Sequence, residues 1–172
     1  MAELERLALT DGLTGVPNRR YLDMAWSGRH SELHRHGTEL GVAIVDIDHF
    51  KRVNDAHGHP VGDDALVMVA RTLAGNVRPS DLVARYGGDE FALLLRGLDG
   101  PALADLLDRL RRVIGGASLD LEDGREVAVA VSVGATLARP DDTLTSALGR
   151  ADELLYRSKA DGRNRLTADA AG

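Results

Sequence analysis

The chain of 172 residues is long enough for one domain with a sizeable core and too short for two domains of ordinary size. It has no cysteine, which excludes a disulfide framework and a thiolate metal site, and its net charge of −6 argues against a general nucleic-acid binder. No apolar run approaches the ~18 residues that span a bilayer, and the N-terminus has no apolar signal core. We therefore expect a cytoplasmic protein without membrane insertion and without a nucleic-acid partner.

The hydrophobic pattern predicts helices and strands that alternate along the chain. Residues 1–9 have the pattern of the end of a helix or stalk, and Asp11–Gly15 interrupts it before a second helix begins at Pro17 or Asn18. The predicted helices cover about 1–9, 18–36, 50–56, 63–77, 101–114 and 143–160, and the predicted strands cover about 40–47, 82–84, 91–95, 125–137 and 164–167. The pattern predicts one α+β domain with a mixed central β-sheet.

The segment Arg85–Phe91 is the most informative stretch of the chain, because two glycines and two acidic residues separate two apolar runs. The pattern predicts a strand, a tight turn and a second strand, with Gly87 and Gly88 supplying the positive φ that a two-residue hairpin requires. The carboxylates of Asp89 and Glu90 then project from the hairpin tip, where a metal ion could bind them. An ordinary turn is the alternative, since glycine and aspartate are common turn residues.

A second acidic strand end follows the apolar run 40–47, where Asp46 and Asp48 precede a short helix. If the two strand ends are neighbours in the sheet, the carboxylates of Asp46 and Asp89 come together, which is unfavourable unless a divalent cation lies between them. Hard oxygen ligands suit Mg²⁺ or Mn²⁺. The alternative for Asp46 and Asp48 is helix capping.

Lysine is rare in this chain: of the 21 basic residues, Lys51 and Lys159 are the two lysines and the rest are arginines. A lysine kept against that bias favours a compact point charge with rotatable donors, as a terminal phosphate requires. Chance retention is the alternative for so small a sample.

Together these motifs resemble the GGDEF family of diguanylate cyclases, from Asp11–Gly15 through Gly58-His59 and Gly62-Asp63 to Gly162-Arg163-Asn164. The resemblance implies a nucleotidyl-cyclase or polymerase-palm-like fold. It assigns residues 10–168 to the GGDEF domain, 1–9 to the end of a helix or stalk, and 169–172 to a disordered tail. Family members usually follow a sensory domain, so a fragment and a natural single-domain protein both remain open.

The resemblance also implies the metal and catalytic residues. Asp46 and Asp89 match the metal carboxylates, the residue matching Ile47 adds a backbone carbonyl, and two Mg²⁺ ions (Mn²⁺ is the alternative) are expected per active site. Glu90 matches the second acid of the motif, acting either at the metals or at the attacking 3′-hydroxyl. Asp89, Glu90 and Asp46 are therefore the expected catalytic residues.

Phosphate-binding residues are implied on two segments. His49, Phe50 and Lys51 match residues that lie along the triphosphate, at a helix start where first-turn N–H groups are natural phosphate ligands. Lys159 and Arg163 match a C-terminal phosphate-binding pair, although capping of the helix C-terminus by these cations is the alternative.

Contacts to the rest of the nucleotide are implied at four further positions. Gly87 and Gly88 lack a Cβ, so the backbone can approach a phosphate or sugar closely, and their successive N–H groups can form an anion nest. Asn54 and Asp63 match the guanine-reading pair, in which an amide and a carboxylate complement the donors and acceptor of the base. The alternatives are a turn at Asn54 and an N-cap at Asp63.

A second site is implied by Arg78 and Asp81, which match the RxxD motif placed five residues before the GGDEF signature in many family members. In the family this motif binds the product, cyclic di-GMP (c-di-GMP), and inhibits the enzyme. A solvated surface ion pair is the alternative.

The function implied is a diguanylate cyclase that condenses two GTP into cyclic di-GMP and two pyrophosphates across a two-fold homodimer, with weak activity in isolation and product feedback inhibition. Two alternatives remain open. One is a non-catalytic signalling module that binds GTP or cyclic di-GMP, and the other is a different nucleotidyl cyclase or palm enzyme.

Overall fold

The structure is a computed structural model that describes residues 2–169. Within that range the helices are α1 Ala2–Leu9, α2 Arg19–His36, α3 Phe50–His57, α4 His59–Gly75, α5 Gly100–Gly116 and α6 Leu144–Ala160. The strands are β1 Leu40–Ile47, β2 Leu82–Arg85, β3 Glu90–Arg96, β4 Ser118–Asp120, β5 Glu126–Ala128, β6 Val131–Leu137 and β7 Leu166–Ala168. Of the predicted tail 169–172, residues 170–172 lie outside the described residues.

Five strands form the central sheet in the order β2-β3-β1-β6-β7. The pairs β1–β3, β1–β6 and β2–β3 are antiparallel, whereas β6–β7 is parallel. The sheet is therefore mixed, which confirms the predicted fold class. Its register places Asp46, near the end of β1, opposite Glu90 at the start of β3.

The sheet is covered by helices on both faces, so the core has two halves. One half packs α4 and α5 against the sheet, and the other packs α2 and α6 against the opposite face. All eight residues of β1 are buried, because β1 is the middle strand between these two layers. The prediction of a strand buried on both faces is confirmed.

Helix α6 is fixed to the sheet at its N-terminus and along its length. Thr143 caps the helix and forms a capping box with Ser146, and Asp142 accepts hydrogen bonds from both Nη atoms of Arg150 at 2.7 Å. On β6, a Cβ at Gly134 would lie 2.1 Å from the Ala151 carbonyl oxygen, so the glycine allows the helix backbone to approach the strand closely. This packing places the C-terminal turn of α6 at the end of β1.

Two predicted elements differ from the structure. Helix α4 begins at His59 and not at Asp63, because Pro60 is favourable in its first turn. Asp63 therefore lies inside the helix and is not its N-cap. The predicted strand 125–137 is divided into β5 and β6, and β5 pairs with the unpredicted β4 in a separate two-stranded sheet.

Among the helices of residues 2–169, none is long and apolar enough to cross a membrane.

Candidate active site

Three carboxylates meet at the shared end of β1 and β3. Ligand oxygens of Asp46, Asp89 and Glu90 lie within 4.8 Å of one another. The Ile47 N–H donates to the Asp89 carbonyl oxygen at 3.1 Å, which ties the end of β1 to the residue before β3. The predicted meeting of the Asp46 and Asp89 carboxylates is thus confirmed, and the reason is that their strands are direct neighbours.

Burial makes this acidic group unfavourable when it carries no cation. Asp46 is 4% exposed, and burial, followed by the charge of Asp89, raises its pKa to about 7 against the opposing hydrogen bond from Lys159. Burial and the charges of Asp152 and Asp89 raise the pKa of Glu90 above its ordinary value. A divalent cation would relieve this repulsion, and an all-carboxylate donor set fits Mg²⁺ or Mn²⁺.

Lys159 reaches the acidic group from the last turn of α6. Its Nζ lies 2.5 Å from Asp46 Oδ2, and although burial lowers the pKa of Lys159, the hydrogen bond and charge of Asp46 raise it above its ordinary value overall. The lysine therefore pairs with a carboxylate rather than with the carbonyls at the end of its own helix. This places a primary ammonium group beside the three acids.

The loop that carries the two glycines differs from the predicted two-residue turn. Residues 86–89 connect the strands, and neither Gly87 nor Gly88 has a positive φ. A four-residue connection does not require the left-handed conformation that a two-residue turn does. The Gly87 N–H donates to the Glu90 carbonyl oxygen at 3.2 Å within the loop, and the anion nest remains a prediction. Gly88 is exposed with open space where a Cβ would be, which leaves the predicted close approach of a ligand possible.

A groove of about 360 Å³ lies next to the acidic group, on the side of α3 and α4. Its lining includes six of the predicted site residues: Phe50, Lys51, Asn54, Asp63, Gly88 and Asp89. Asn54 is half-buried near the end of α3, and Asp63 is exposed in α4. The sequence prediction that these two residues could act together is consistent with their shared groove.

Three residues of the groove were not predicted as site residues: His59, Leu66 and Arg85. Arg85 lies within hydrogen-bonding distance of Asp11 Oδ1 at 3.2 Å, and its Nη2 donates to the Gly88 carbonyl oxygen at 2.8 Å. It therefore holds the glycine loop while lining the groove. Its place as the first residue of the Arg85–Phe91 segment was the available signal.

Four of the predicted nucleotide-binding residues, His49, Gly87, Lys159 and Arg163, do not line this groove. His49 precedes α3 with φ 55°, and its side chain is exposed. Arg163 follows α6 with φ 63°. Their predicted contacts to phosphate remain predictions.

Asp48 connects the end of β1 to the C-terminal segment and does not cap α3. Its carboxylate accepts hydrogen bonds from Ser132 Oγ at 2.6 Å and from the Asn164 N–H at 2.8 Å. Asp46 lies within β1 and does not cap the helix either, so the capping alternative is wrong for both residues.

The predicted second site is separate from the acidic group. The Asp81 side chain is 1% exposed, pairs with Arg78 Nε at 3.2 Å, and accepts from the Arg96 N–H at 3.0 Å. The alternative of a solvated ion pair is therefore wrong for Asp81. Both residues line a cavity of about 400 Å³ that also contains Asp105 and Arg109 of α5. Arg109 was not predicted, because nothing in the local sequence shows that this face of α5 is opposite Arg78.

Comparison with known proteins agrees with this geometry. The family model described as "Diguanylate cyclase, GGDEF domain" matches residues 8–165. Diguanylate cyclase DgcP of Pseudomonas aeruginosa is 40% identical over 159 residues, which are 92% of this chain and 24% of that protein. Response regulator PleD of Caulobacter vibrioides is 40% identical over 171 residues, which are 96% of this chain and 37% of that protein.

A solved structure is also similar over nearly the whole chain. The coiled coil and GGDEF domain of DgcB from Caulobacter crescentus, in complex with c-di-GMP, has a TM-score of 0.92 and 35% identity, covering 98% of this chain and 89% of that one. The fold is thus the palm-like fold of a nucleotidyl-cyclase domain, with an acidic group suited to a divalent metal at its sheet end. The chain belongs to the GGDEF domain family. It spans 24% and 37% of the length of the two curated relatives.

Proposed function

We propose that this domain is a diguanylate cyclase that condenses two GTP into cyclic di-GMP. In each half-reaction the 3′-hydroxyl oxygen of one nucleotide forms a bond to the α-phosphorus of the other, the bond from that phosphorus to the β-bridging oxygen breaks, and pyrophosphate leaves. The hydroxyl proton passes to a base, and two such steps close the ring. The observation that carries the proposal is the position of the acidic group Asp46–Asp89–Glu90 beside a groove that contains Asn54 and Asp63.

Asp46, Asp89 and the Ile47 carbonyl are the residues that would hold the metal ions, for which we propose two Mg²⁺. Such ions, when bound, neutralise the leaving pyrophosphate and increase the acidity of the hydroxyl. Glu90 lies at the edge of this group and belongs to the cavity bounded by α2 and α6, so it can face an incoming hydroxyl from that side. We assign Glu90 to the metals or to the attacking hydroxyl.

The phosphates are held by cations and backbone donors at the strand ends. Lys51 lines the groove, and the first turn of α3 presents its N–H groups next to it. Lys159 pairs with Asp46 beside the acidic group, and we assign its ammonium group to a phosphate oxygen of the nucleotide. Arg163 follows three residues after the end of α6 and is assigned to the same phosphates.

The groove supports guanine as the base. Asp63 can accept hydrogen bonds from N1–H and N2–H₂, and the amide of Asn54 can both donate and accept. Adenine has an acceptor at N1 where guanine has the N1–H donor, so a carboxylate oxygen of Asp63 would face another acceptor and ATP is disfavoured.

Product inhibition is assigned to the cavity of Arg78, Asp81 and Arg109. Two guanidinium groups suit the phosphates of a cyclic dinucleotide, and the buried carboxylate of Asp81 holds the Arg78 guanidinium in place. This cavity and the acidic group are lined by different residues. Binding of cyclic di-GMP in the cavity and binding of GTP beside the acidic group can therefore be tested separately.

Chromatographic separation of the products formed from GTP or ATP with Mg²⁺ tests the proposal. We expect cyclic di-GMP from GTP alone, and a rate at least about 100-fold lower for Asp89→Asn, because a metal carboxylate is lost. Asp123→Asn is the matched control, since this exposed acid lies in the β4–β5 loop.

In the same assay, Arg78→Ala is expected to relieve inhibition by added cyclic di-GMP.

Several outcomes would contradict the proposal. Equal rates for Asp89→Asn and Asp123→Asn would mean that the reaction does not depend on the acidic group. Absence of product from the wild-type domain, with cyclic di-GMP still binding at the Arg78 cavity, would favour the non-catalytic module instead.

A further inference from the structure

Gly62 lies in the first part of α4, directly before Asp63, and is buried. It does not have a positive φ, so its backbone conformation does not require glycine. Glycine is required here because of the limited space. A Cβ built on Gly62 would lie 1.8 Å from Asn54 Oδ1 and 2.8 Å from Asn54 Cγ. The amide of Asn54 therefore occupies the volume that any other side chain would take at position 62.

The kind of atom in the way decides what a larger residue would do. At Gly134 the nearest atoms belong to the backbone of α6, which cannot move without separating helix and strand. At Gly62 the three nearest atoms all belong to the end of the Asn54 side chain, which can rotate to another rotamer. Alanine at position 62 would therefore displace the amide and leave the two helices in place.

That amide is held close to Asp63 by the local chain. The α3–α4 connection is a single residue, Gly58, whose N–H donates to the Asn54 carbonyl oxygen at 2.8 Å. Asn54 and Asp63 consequently line one groove from two successive helices. The Oδ1 end of the Asn54 amide is the part that lies against Gly62.

We propose that Gly62 is a positioning residue for base recognition: its missing Cβ gives the Asn54 amide the place from which it reads guanine beside Asp63. This inference rests on the proposed function, because it takes GTP as the ligand of the groove. Gly62 itself touches no substrate and acts through Asn54.

For Gly62→Ala we expect weaker nucleotide binding without a loss of thermal stability. Alanine is a better helix former than glycine, and the obstructing group is mobile, so the melting temperature of Gly62→Ala should equal or exceed that of the wild type. Loss of one hydrogen bond to the base should weaken GTP binding by about 10-fold. A purely structural role would instead lower the melting temperature and leave the affinity of the folded protein unchanged.

The test uses 3′-deoxy-GTP and 3′-deoxy-ATP with Mg²⁺, because these nucleotides lack the attacking hydroxyl and are not condensed. Calorimetric titration would compare the wild type with Gly62→Ala, Asn54→Ala and the double variant. Gly75→Ala, in the same helix with open space at its Cβ, is the matched control. We expect Gly62→Ala and Asn54→Ala to reduce both the affinity for 3′-deoxy-GTP and its preference over 3′-deoxy-ATP, with the double variant no weaker than Asn54→Ala.

Two results would overturn the inference: affinity losses that add in the double variant, or Gly62→Ala binding 3′-deoxy-GTP as the wild type does. If Gly62→Ala unfolds, the double variant decides, because removing the Asn54 amide removes the obstruction; a double variant that is also unfolded counts against the inference. A wild-type domain that fails to bind 3′-deoxy-GTP would contradict the proposed function itself.

Discussion

At the scale of single residues, the proposed chemistry depends on a carboxylate whose charge is unfavourable where it lies. Asp46 lies on the middle strand of the sheet, and its charge is partly offset by one ammonium group, that of Lys159. Burial and the neighbouring Asp89 raise its pKa to about 7 despite that contact. Without a divalent cation, the charge of Asp46 therefore lowers the free energy of unfolding.

This conflict predicts a pH-dependent stability in metal-free protein. The folded-state pKa of Asp46 is about 7 and its ordinary value is 3.8, so between these values the folded state holds a proton that the unfolded state releases. The free energy of unfolding should therefore fall as the pH rises through this window, with the full deficit above pH 7. Asp46→Asn should raise the melting temperature at pH 8, and the gain should shrink toward pH 4.

Thermal unfolding in the presence of a chelator measures this effect. Asp123→Asn is the control, because the hydrogen bonds from Arg125 hold the pKa of Asp123 below its ordinary value, so its replacement should give no gain at pH 8. A gain for Asp46→Asn of the same size at pH 4 and pH 8 would mean that titration of this carboxylate is not the cause.

Sequence patterns identify residues whose role is local and miss those whose role lies across the fold. Asp46 and Asp89 could be predicted because each ends or begins an apolar strand, and acidic residues at such places are conspicuous. Arg109 and the effect of Gly62 could not, because what matters is the atom each one faces on another helix. The expectation of positive φ at Gly87 was wrong because the pattern does not reveal the length of the connecting loop.

At the scale of elements, the approach of α6 to β6 sets where Lys159 lies. A Cβ at Gly134 would be 2.1 Å from the Ala151 carbonyl oxygen and 2.2 Å from the Leu155 nitrogen, both backbone atoms. The helix can therefore lie against the sheet at this point because the strand has no side chain there. Its last turn then reaches the end of β1.

Gly134→Ala should separate these elements and destabilise the fold by about 3 kcal/mol, at the upper end of overpacking costs, because rigid backbone must move. Gly149→Ala on α6 meets open space and should be neutral or stabilising by up to about 1 kcal/mol. Denaturant unfolding of both variants measures the difference. Equal midpoints would mean that the strand and helix can part at little cost.

Long elements with a single pattern were predicted closely, and short or interrupted ones were not. The predicted strand 40–47 coincides with β1, since a continuous apolar run buried on both faces leaves one interpretation. Strand β4 has three residues, too few to show a hydrophobic periodicity, and it is fixed by its partner β5. Helix α4 begins earlier than predicted because its first turn contains no apolar periodicity, only the proline that favours it.

At the scale of the whole molecule, one protomer supplies one acidic group next to one groove that contains Asn54 and Asp63, within residues 2–169. Condensation needs two nucleotides at one reaction centre, so each protomer supplies half of the proposed active site and a dimer is needed to complete it. Below the dimerisation constant the fraction of dimer rises with concentration. Specific activity should therefore increase nearly in proportion to protein concentration.

Initial rates over a 100-fold range of protein concentration measure this dependence. An added excess of Asp89→Asn protein should lower the activity of the wild type, because mixed dimers contain one incompetent centre. A flat specific activity, unaffected by the inactive variant, would show that a single protomer completes the reaction.

The register that sets Asp46 opposite Glu90 also determines when the site comes into existence. Strands β1 and β3 are separated in the chain by two helices and β2, so their pairing is a non-local contact of the kind that forms late in folding. A slip of one residue would turn Asp46 toward the opposite layer of helices. The affinity for a divalent cation that we propose for the acidic group would therefore be absent from the nascent chain and arise with the correctly paired sheet, so metal binding would report completed folding.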